Sequence, residues 1–534
     1  MRKRIAILTG LFAVSICCLM FKLYSISQDE YIIMSGISQS AYEVGVADFR
    51  GTIYDCKKTP MVNNGDIQTI ISVLPDEESM GILKAQLKHE EFLNIYPYFN
   101  NDKPFILKTE EKVLSDSDKI ISFPVNKRYH NNEFCCHIIG HCSESGKGLS
   151  GIEKSMEEYL NVDSEITVNY IKDAKGDILN GYKTNIKDSE DLKYEGVALT
   201  IDSEIQKIAQ EAAKKHIEKG AVVITEVPSC QIRAMLSLPS YQADNVKEYL
   251  DREDSPLLNR ALCAYDIGSV FKVVTAAYIL ENGLYTDDKY NCVGSIELSK
   301  NTFDCFNKTA HGQINLEEAF AHSCNGYFVN ISSQIDKDKF LKLANNFGFG
   351  KSYELSKGLG SNQGYLPSKD ELRSDIAMAN FSFGQGAFLA TPLQVATMIN
   401  TIASDGEYTA PTLLKGLINS DKEEYMSYEV PISKKVISTE SAKKIQQYMS
   451  LAVEYGTAMS GRSETTDIAA KTGTAQTGQV VNGEDVQQCW YAGFFPKDNP
   501  RYSITVFCED AESVALNCAP VFKEIAEKID VAEN

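Results

Sequence analysis

Three short motifs constrain this chain more than anything else in it: Ser269-Val270-Phe271-Lys272, Ser323-Cys324-Asn325 and Lys471-Thr472-Gly473-Thr474-Ala475. They can act together only if the fold returns three distant points of the chain to one place. Together they supply a serine nucleophile, two lysines able to handle protons, a second serine and a carboxamide. That is the equipment for acyl transfer through a covalent serine ester. A lone S-x-x-K means little, and the chain holds a decoy, Ser441-Ala442-Lys443-Lys444, in a polar amphipathic pattern expected on solvated surface. Ser269 differs in its context. Gly268 precedes it, and residues 270–280 are apolar nearly all round apart from Lys272, as in a helix buried within its domain. A lysine in the first turn of such a helix is costly unless it has a role or a partner. Ser269 and Lys272 are three apart and share one face. A serine at a helix start also meets free N–H groups and a dipole that favour a developing anion.

Lys272 can act as a base only when neutral. Burial and a nearby cation both lower a lysine pKa, and Lys471 is the expected second cation. The pattern therefore predicts that Lys272 takes the Ser269 proton, while Lys471 orients substrate and tunes that pKa. Ser323 relays the proton toward a leaving amine, and Asn325 holds a substrate amide. The Lys471 pentad follows a strand-like run at 467–470. There Gly473 lets a ligand backbone approach closely, and Thr472 and Thr474 offer hydroxyls to a carboxylate. The strand edge can pair with an extended peptide. The backbone N–H groups of Ser269 and Thr474 are the expected oxyanion hole.

The 534 residues, 43% apolar, suffice for two or three domains. A net charge of −20 argues against nucleic acid as a partner. Arg2, Lys3 and Arg4 precede an uncharged apolar run over 5–21, with Lys22 and Tyr24 at its edge. This reads as a single membrane anchor over 5–24, with 1–4 in the cytoplasm and the rest outside; a cleaved signal peptide is the alternative. Residues 25–190 alternate short β-like runs with polar turns. A further domain begins near Tyr194 and runs to 534. Its expected elements are a strand at 197–201, a helix at 206–219, paired strands at 221–225 and 232–236, late strands at 489–495 and 502–508, and a closing helix at 520–529. Strands at both ends with helices between suggest an antiparallel sheet with a helical lobe, an α+β arrangement.

Fourteen cysteines show no tidy pairing pattern and suit reducing surroundings, where cysteine is a small apolar residue. Cys135-Cys136-His137-Ile138-Ile139-Gly140-His141-Cys142 looks like a ligand run, but as one strand its alternate side chains would diverge. That run is therefore not expected to hold a metal, and the serine-ester chemistry needs no metal and no organic cofactor. Cys324 lies between two candidate site residues, with Cys305 and Cys292 upstream, so Cys305 and Cys324 form a candidate redox pair.

The motif set resembles the class B penicillin-binding proteins, monofunctional peptidoglycan D,D-transpeptidases. Beyond the three motifs, the resemblance is carried by Arg50-Gly51-Thr52-Ile53-Tyr54-Asp55, by Gly148-Leu149-Ser150-Gly151-Ile152-Glu153 and by Asn259-Arg260-Ala261. Phe383-Gly384-Gln385-Gly386, Ala390-Thr391-Pro392-Leu393-Gln394 and Trp490-Tyr491-Ala492-Gly493-Phe494-Phe495-Pro496 extend it toward the C-terminus. Ile267 stands where the family usually has proline, and Val270 where many members have threonine; neither removes a reactive group. The resemblance implies a serine β-lactamase-like transpeptidase domain over 194–534. A mostly β pedestal or dimerisation domain over 25–190 and one transmembrane helix precede it. C-terminal PASTA modules are not expected. It implies a plasma-membrane, single-pass protein with an extracytoplasmic serine acyltransferase that cross-links stem peptides, binds β-lactams and retains some D,D-carboxypeptidase activity. A membrane-embedded glycan polymerase is the implied partner. A serine β-lactamase and a non-catalytic β-lactam-binding scaffold are the alternatives.

Overall fold

A computed structural model of the chain describes residues 2–27, 41–65, 67–101, 103–129, 133–143, 145–171, 175, 185–187, 196–284, 289–419, 421–481 and 484–533. Helix α1 (Arg2–Ser27) is long and apolar enough to cross a membrane, with mean hydropathy 2.2 in its most apolar window and no buried residue. The chain divides into two compact units, one gathering 1–50, 65–127 and 162–192, the other 51–64, 128–161 and 193–534. The stretch 25–190 thus contributes to both.

In the first unit, strand Ile67–Val73 lies between Phe105–Thr109 and Ile120–Asn126 in an antiparallel sheet. Helices Glu77–Gln86 and His89–Ile95 bury Leu83, Phe92 and Ile95 with Ile71, Val73 and Leu107 of the sheet. The β-like sequence pattern did not foretell these helices. The first is started by a reciprocal cap, in which Asp76 accepts from the Ser79 N–H and Ser79 Oγ accepts from the Asp76 N–H.

The second unit is α+β, as expected. After helix α2 (Ser203–Lys214), strands β1 (Gly220–Glu226) and β2 (Ile232–Leu238) pair antiparallel. The helical lobe follows and includes α3 (Lys272–Glu281), α4 (Asn325–Ser332) and α5 (Thr439–Glu454). The chain then returns to the sheet as β3 (Ala469–Val481), β4 (Glu484–Phe495) and β5 (Tyr502–Ala511), and closes with α6 (Ala519–Glu533). The sheet order is β2-β1-β5-β4-β3, antiparallel throughout, so β3 is an edge strand. One hydrophobic core packs α2 and α6 against this sheet, and a second joins it to α3 and the lobe. Two of the sequence signatures prove to be scaffold. The Arg128 guanidinium clamps buried Glu153 at 2.6 and 2.8 Å and also donates to Gly51 O at 3.2 Å, tying 51–64, 128–161 and the second signature together.

Candidate active site

Ser269 sits on a turn pressed against the sheet edge. Gly268–Phe271 form one 3-10 turn, and the α-helix begins only at Lys272, so Ser269 lies just before α3 instead of in its first α-helical turn. Gly268 explains the offset. It has φ +55°, and a Cβ there would stand 2.6 Å from Thr474 O. Only glycine lets this turn lie flat on β3. The turn is further held by Gly268 N–H donating to Gly384 O (3.0 Å) and by the Trp490 indole donating to Asp266 O (2.9 Å). Behind it, every residue from Lys272 to Leu280 is buried. Phe271 is packed among Phe340, Phe349, Phe381 and Phe388.

Lys272 is the hub. Its side chain has no solvent exposure (0%). The Nζ lies 3.1 Å from Ser269 Oγ, 2.7 Å from Ser323 O, 3.1 Å from Ser323 Oγ and 2.7 Å from Asn325 Oδ1. Asn325 is fixed at its other end, donating from Nδ2 to Asp304 O at 2.8 Å. Ser323 adopts φ +53°, a left-handed conformation uncommon outside glycine and typical of functional strain. Burial brings the Lys272 pKa down to about 7. A neutral amine has two N–H donors and one lone pair. The two shortest contacts go to pure acceptors, Ser323 O and Asn325 Oδ1, and use both donors. The lone pair is left to the two serine hydroxyls, each at 3.1 Å. Lys272 is thus arranged to take a proton from one serine and exchange it with the other.

Lys471 is also fully buried (0%), with its Nζ donating to Thr472 O at 3.1 Å and lying 5.8 Å from the Phe320 ring centroid. Its pKa is held well below the ordinary lysine range, first by burial and then by repulsion from Lys272. Both lysines are fully enclosed, and Lys272 has four oxygen partners where Lys471 has one.

The pentad packs directly on the Ser269 turn. A Cβ at Gly473 would stand 2.7 Å from Ile267 O and 2.8 Å from Val270 Cγ2. Thr472 is nearly buried, and its Oγ1 lies 2.8 Å from Thr457 Oγ1, a residue that no motif had singled out. The decoy resolves as well. Lys443 and Lys444 are surface residues paired with Asp405 and Glu440, but Ser441 is buried in the first turn of α5, where its N–H donates to the cap Ser438 Oγ.

The run Cys135–Cys142 is not a strand. Cys135 has φ +52° and Cys136–Ile139 make one helical turn, with His137 Nε2 2.8 Å from Pro256 O and His141 Nδ1 2.7 Å from Ser150 Oγ. A different group could hold a metal ion. The ligand atoms of Cys292, Cys305, His311 and Cys324 all lie within 4.8 Å of one another, and the three cysteines are buried. Cys305 Sγ is 3.7 Å from both other sulfurs, and Cys292 Sγ is 3.2 Å from His311 Nδ1. Sulfurs each about 2.3 Å from a tetrahedral centre stand roughly 3.8 Å apart, so this set fits zinc with all four positions filled. All the thiols in the second unit are free, and Cys305 and Cys324, the candidate redox pair, are adjacent and unbonded. The hydrogen bond between Cys305 and Cys324 pulls the Cys305 thiol down and pushes the Cys324 thiol up, so the two share a proton. A metal held there would supply a fixed anchor beside Ser323 and Asn325. Cys292, Cys305 and Cys324 stand together in the sequence only as a redox candidate, with no metal expected; the fold adds His311 to them.

A profile described as the penicillin binding protein transpeptidase domain matches residues 220–527. Penicillin-binding protein PbpB of Mycolicibacterium smegmatis is 29% identical over 427 residues, 75% of this chain and 64% of that protein. Stage V sporulation protein D of Bacillus subtilis is 28% identical over 399 residues, 71% of this chain and 59% of that protein. The chain thus spans less than two thirds of either relative. The peptidoglycan D,D-transpeptidase MrdA of Acinetobacter baumannii is 26% identical over 544 residues, 89% of this chain and 80% of that protein. Among solved structures, one described as structural coordination of polymerization and crosslinking by a peptidoglycan synthase complex shares the fold. Its TM-score is 0.72 at 22% identity, covering 98% of this chain and 97% of that one.

Proposed function

Because the chain belongs to the penicillin-binding protein transpeptidase family, we propose that it is a peptidoglycan D,D-transpeptidase working through an acyl-enzyme on Ser269. Neutral Lys272 takes the Ser269 hydroxyl proton as Oγ attacks the penultimate D-Ala carbonyl of a donor stem peptide. The developing oxyanion is met by the backbone N–H groups of Ser269 and Thr474. As the C–N bond breaks, the proton passes from Lys272 through Ser323 to the departing D-Ala amine. An amine of a neighbouring peptide then attacks the ester and gives up its proton by the same route, and Ser269 is restored. Thr472 and Thr474 hold the donor's terminal carboxylate, and Asn325 orients its amide. A β-lactam stops at the ester because its leaving nitrogen stays attached. The single observation behind this reading is the Lys272 amine within 3.1 Å of both serine hydroxyls, in a site that brings its pKa to about 7.

In this reading α1 anchors the chain with Arg2, Lys3 and Arg4 in the cytoplasm and the transpeptidase domain outside. The likeness to a chain of a peptidoglycan synthase complex supports a membrane-embedded glycan polymerase as partner. Purified protein and Ser269→Ala are compared with a reporter-labelled penicillin. Stable label on the wild type alone is the expected outcome. Rapid release of hydrolysed drug would instead indicate a β-lactamase, and absence of label from both a non-catalytic scaffold.

A further inference from the structure

Thr457 belongs to none of the motifs and has no part in the chemistry above. It lies on the turn after α5 where three pieces of the site meet. Its N–H donates to Ala321 O at 3.0 Å, two residues before Ser323. The next carbonyl, of Ala458, accepts from Tyr491 Oη at 2.8 Å, and Tyr491 is the cross-strand partner of Thr472. The backbone of this turn is thus fixed to the Ser323 segment on one side and to the sheet on the other. From that position Thr457 Oγ1 reaches Thr472 Oγ1 at 2.8 Å.

Two paired hydroxyls have two protons and one contact between them. One proton lies in the contact and the other is free to point elsewhere. Thr472 is nearly buried (7%) and Thr457 is exposed. An anion at Thr472 favours the arrangement in which Thr457 donates, because the Thr472 proton is then available for a charge-assisted bond. A hydroxyl that accepts a hydrogen bond is also the better donor. We propose that Thr457 is a positioning residue for the donor carboxylate, donating to Thr472 Oγ1 and so aiming the Thr472 proton at the terminal carboxylate of a stem peptide or β-lactam. This rests on the carboxylate-binding role given to Thr472 above.

The test uses the full chain with benzylpenicillin and its neutral methyl ester, measuring the second-order acylation rate constant. Wild type should prefer the acid. Thr457→Val, nearly isosteric, should slow acylation by the acid about tenfold and leave the ester within about twofold, the scale of one lost hydrogen bond to a charge chain. Thr457→Ser should restore the acid rate, and Thr457→Ala repeats the comparison if the valine variant is unstable. Equal slowing of acid and ester, or no slowing of either, overturns the proposal. Thr472→Val separates the two ideas. If it leaves the acid preference intact, the carboxylate role of Thr472 fails and Thr457 falls with it. If it erases the preference while Thr457→Val keeps it, only the role of Thr457 fails.

Discussion

The chain contains the pattern Ser-x-x-Lys twice in helical settings, and the two copies could hardly differ more. Around Ser441 the lysines face solvent, each with a carboxylate partner, and the serine is part of a helix cap. Around Ser269 the lysine is wholly enclosed and meets four oxygens, none of them a carboxylate. Helical spacing puts serine and lysine on one face in both cases. What sets one lysine apart is the loss of water without a carboxylate partner, and burial brings its pKa to about 7.

The largest effect should come from removing that lysine. Lys272→Met keeps the length and apolar body of the side chain and deletes the amine. Penicillin acylation of Ser269 should fall by about 10³-fold, within the range of general-base catalysis. Stopped-flow labelling with a thermal melt as a folding control measures it. A loss below tenfold would mean that another group takes the proton.

The next effect is on pH. Acylation needs neutral Lys272, so its rate should rise about tenfold per pH unit below 7 and level off above it. Stability follows the same titration. The folded-state pKa lies below the ordinary 10.5. Between about 7 and 10.5 the unfolded chain therefore binds a proton that the folded one does not, and stability rises with pH across that window. In Lys272→Met this rise should shrink, as read by denaturant melts at several pH values.

The metal-capable group tests what else holds the buried motif in shape. Its four residues flank Ser323 and Asn325, and the Ser441 motif has no counterpart. Elemental analysis should find one zinc per chain. Cys292→Ser, or chelation, should release it, lower the melting temperature and slow labelling severalfold. Unchanged melting after complete metal loss would separate the cluster from the site.

Much of this was legible in the chain because it is local. The apolar surround of Lys272, the strand pairs of 220–238 and the late hairpin are written in neighbouring residues. What escaped depends on pairing across distance. Cys292 and His311 meet because Tyr290–Cys292 pairs with Gly312–Ile314, and the Ser295–Leu298 hairpin with Asn301–Asp304 returns Cys305 to them. No spacing rule anticipates two small sheets. Thr457 likewise becomes visible only when its turn is tied to Ala321 and to the partner of Thr472.

The smallest expected effect closes the comparison between the two motifs. Ser441→Ala with Lys444→Ala copies, at the second motif, changes that would abolish labelling at the first. The ion pair of Lys444 with Glu440 is on the surface and contributes little, on the order of 0.3–0.5 kcal/mol. Ser441 donates its N–H to Ser438 Oγ by backbone, which alanine preserves, and loses its side-chain contacts with Ser438 at 3.0 Å and with the Glu281 carboxylate. The double variant should therefore acylate at the wild-type rate and melt within a few degrees of it. A marked loss of labelling with the melt unchanged would mean that α5 transmits something to the site through the turn at Thr457, and enclosure alone would no longer separate the two motifs.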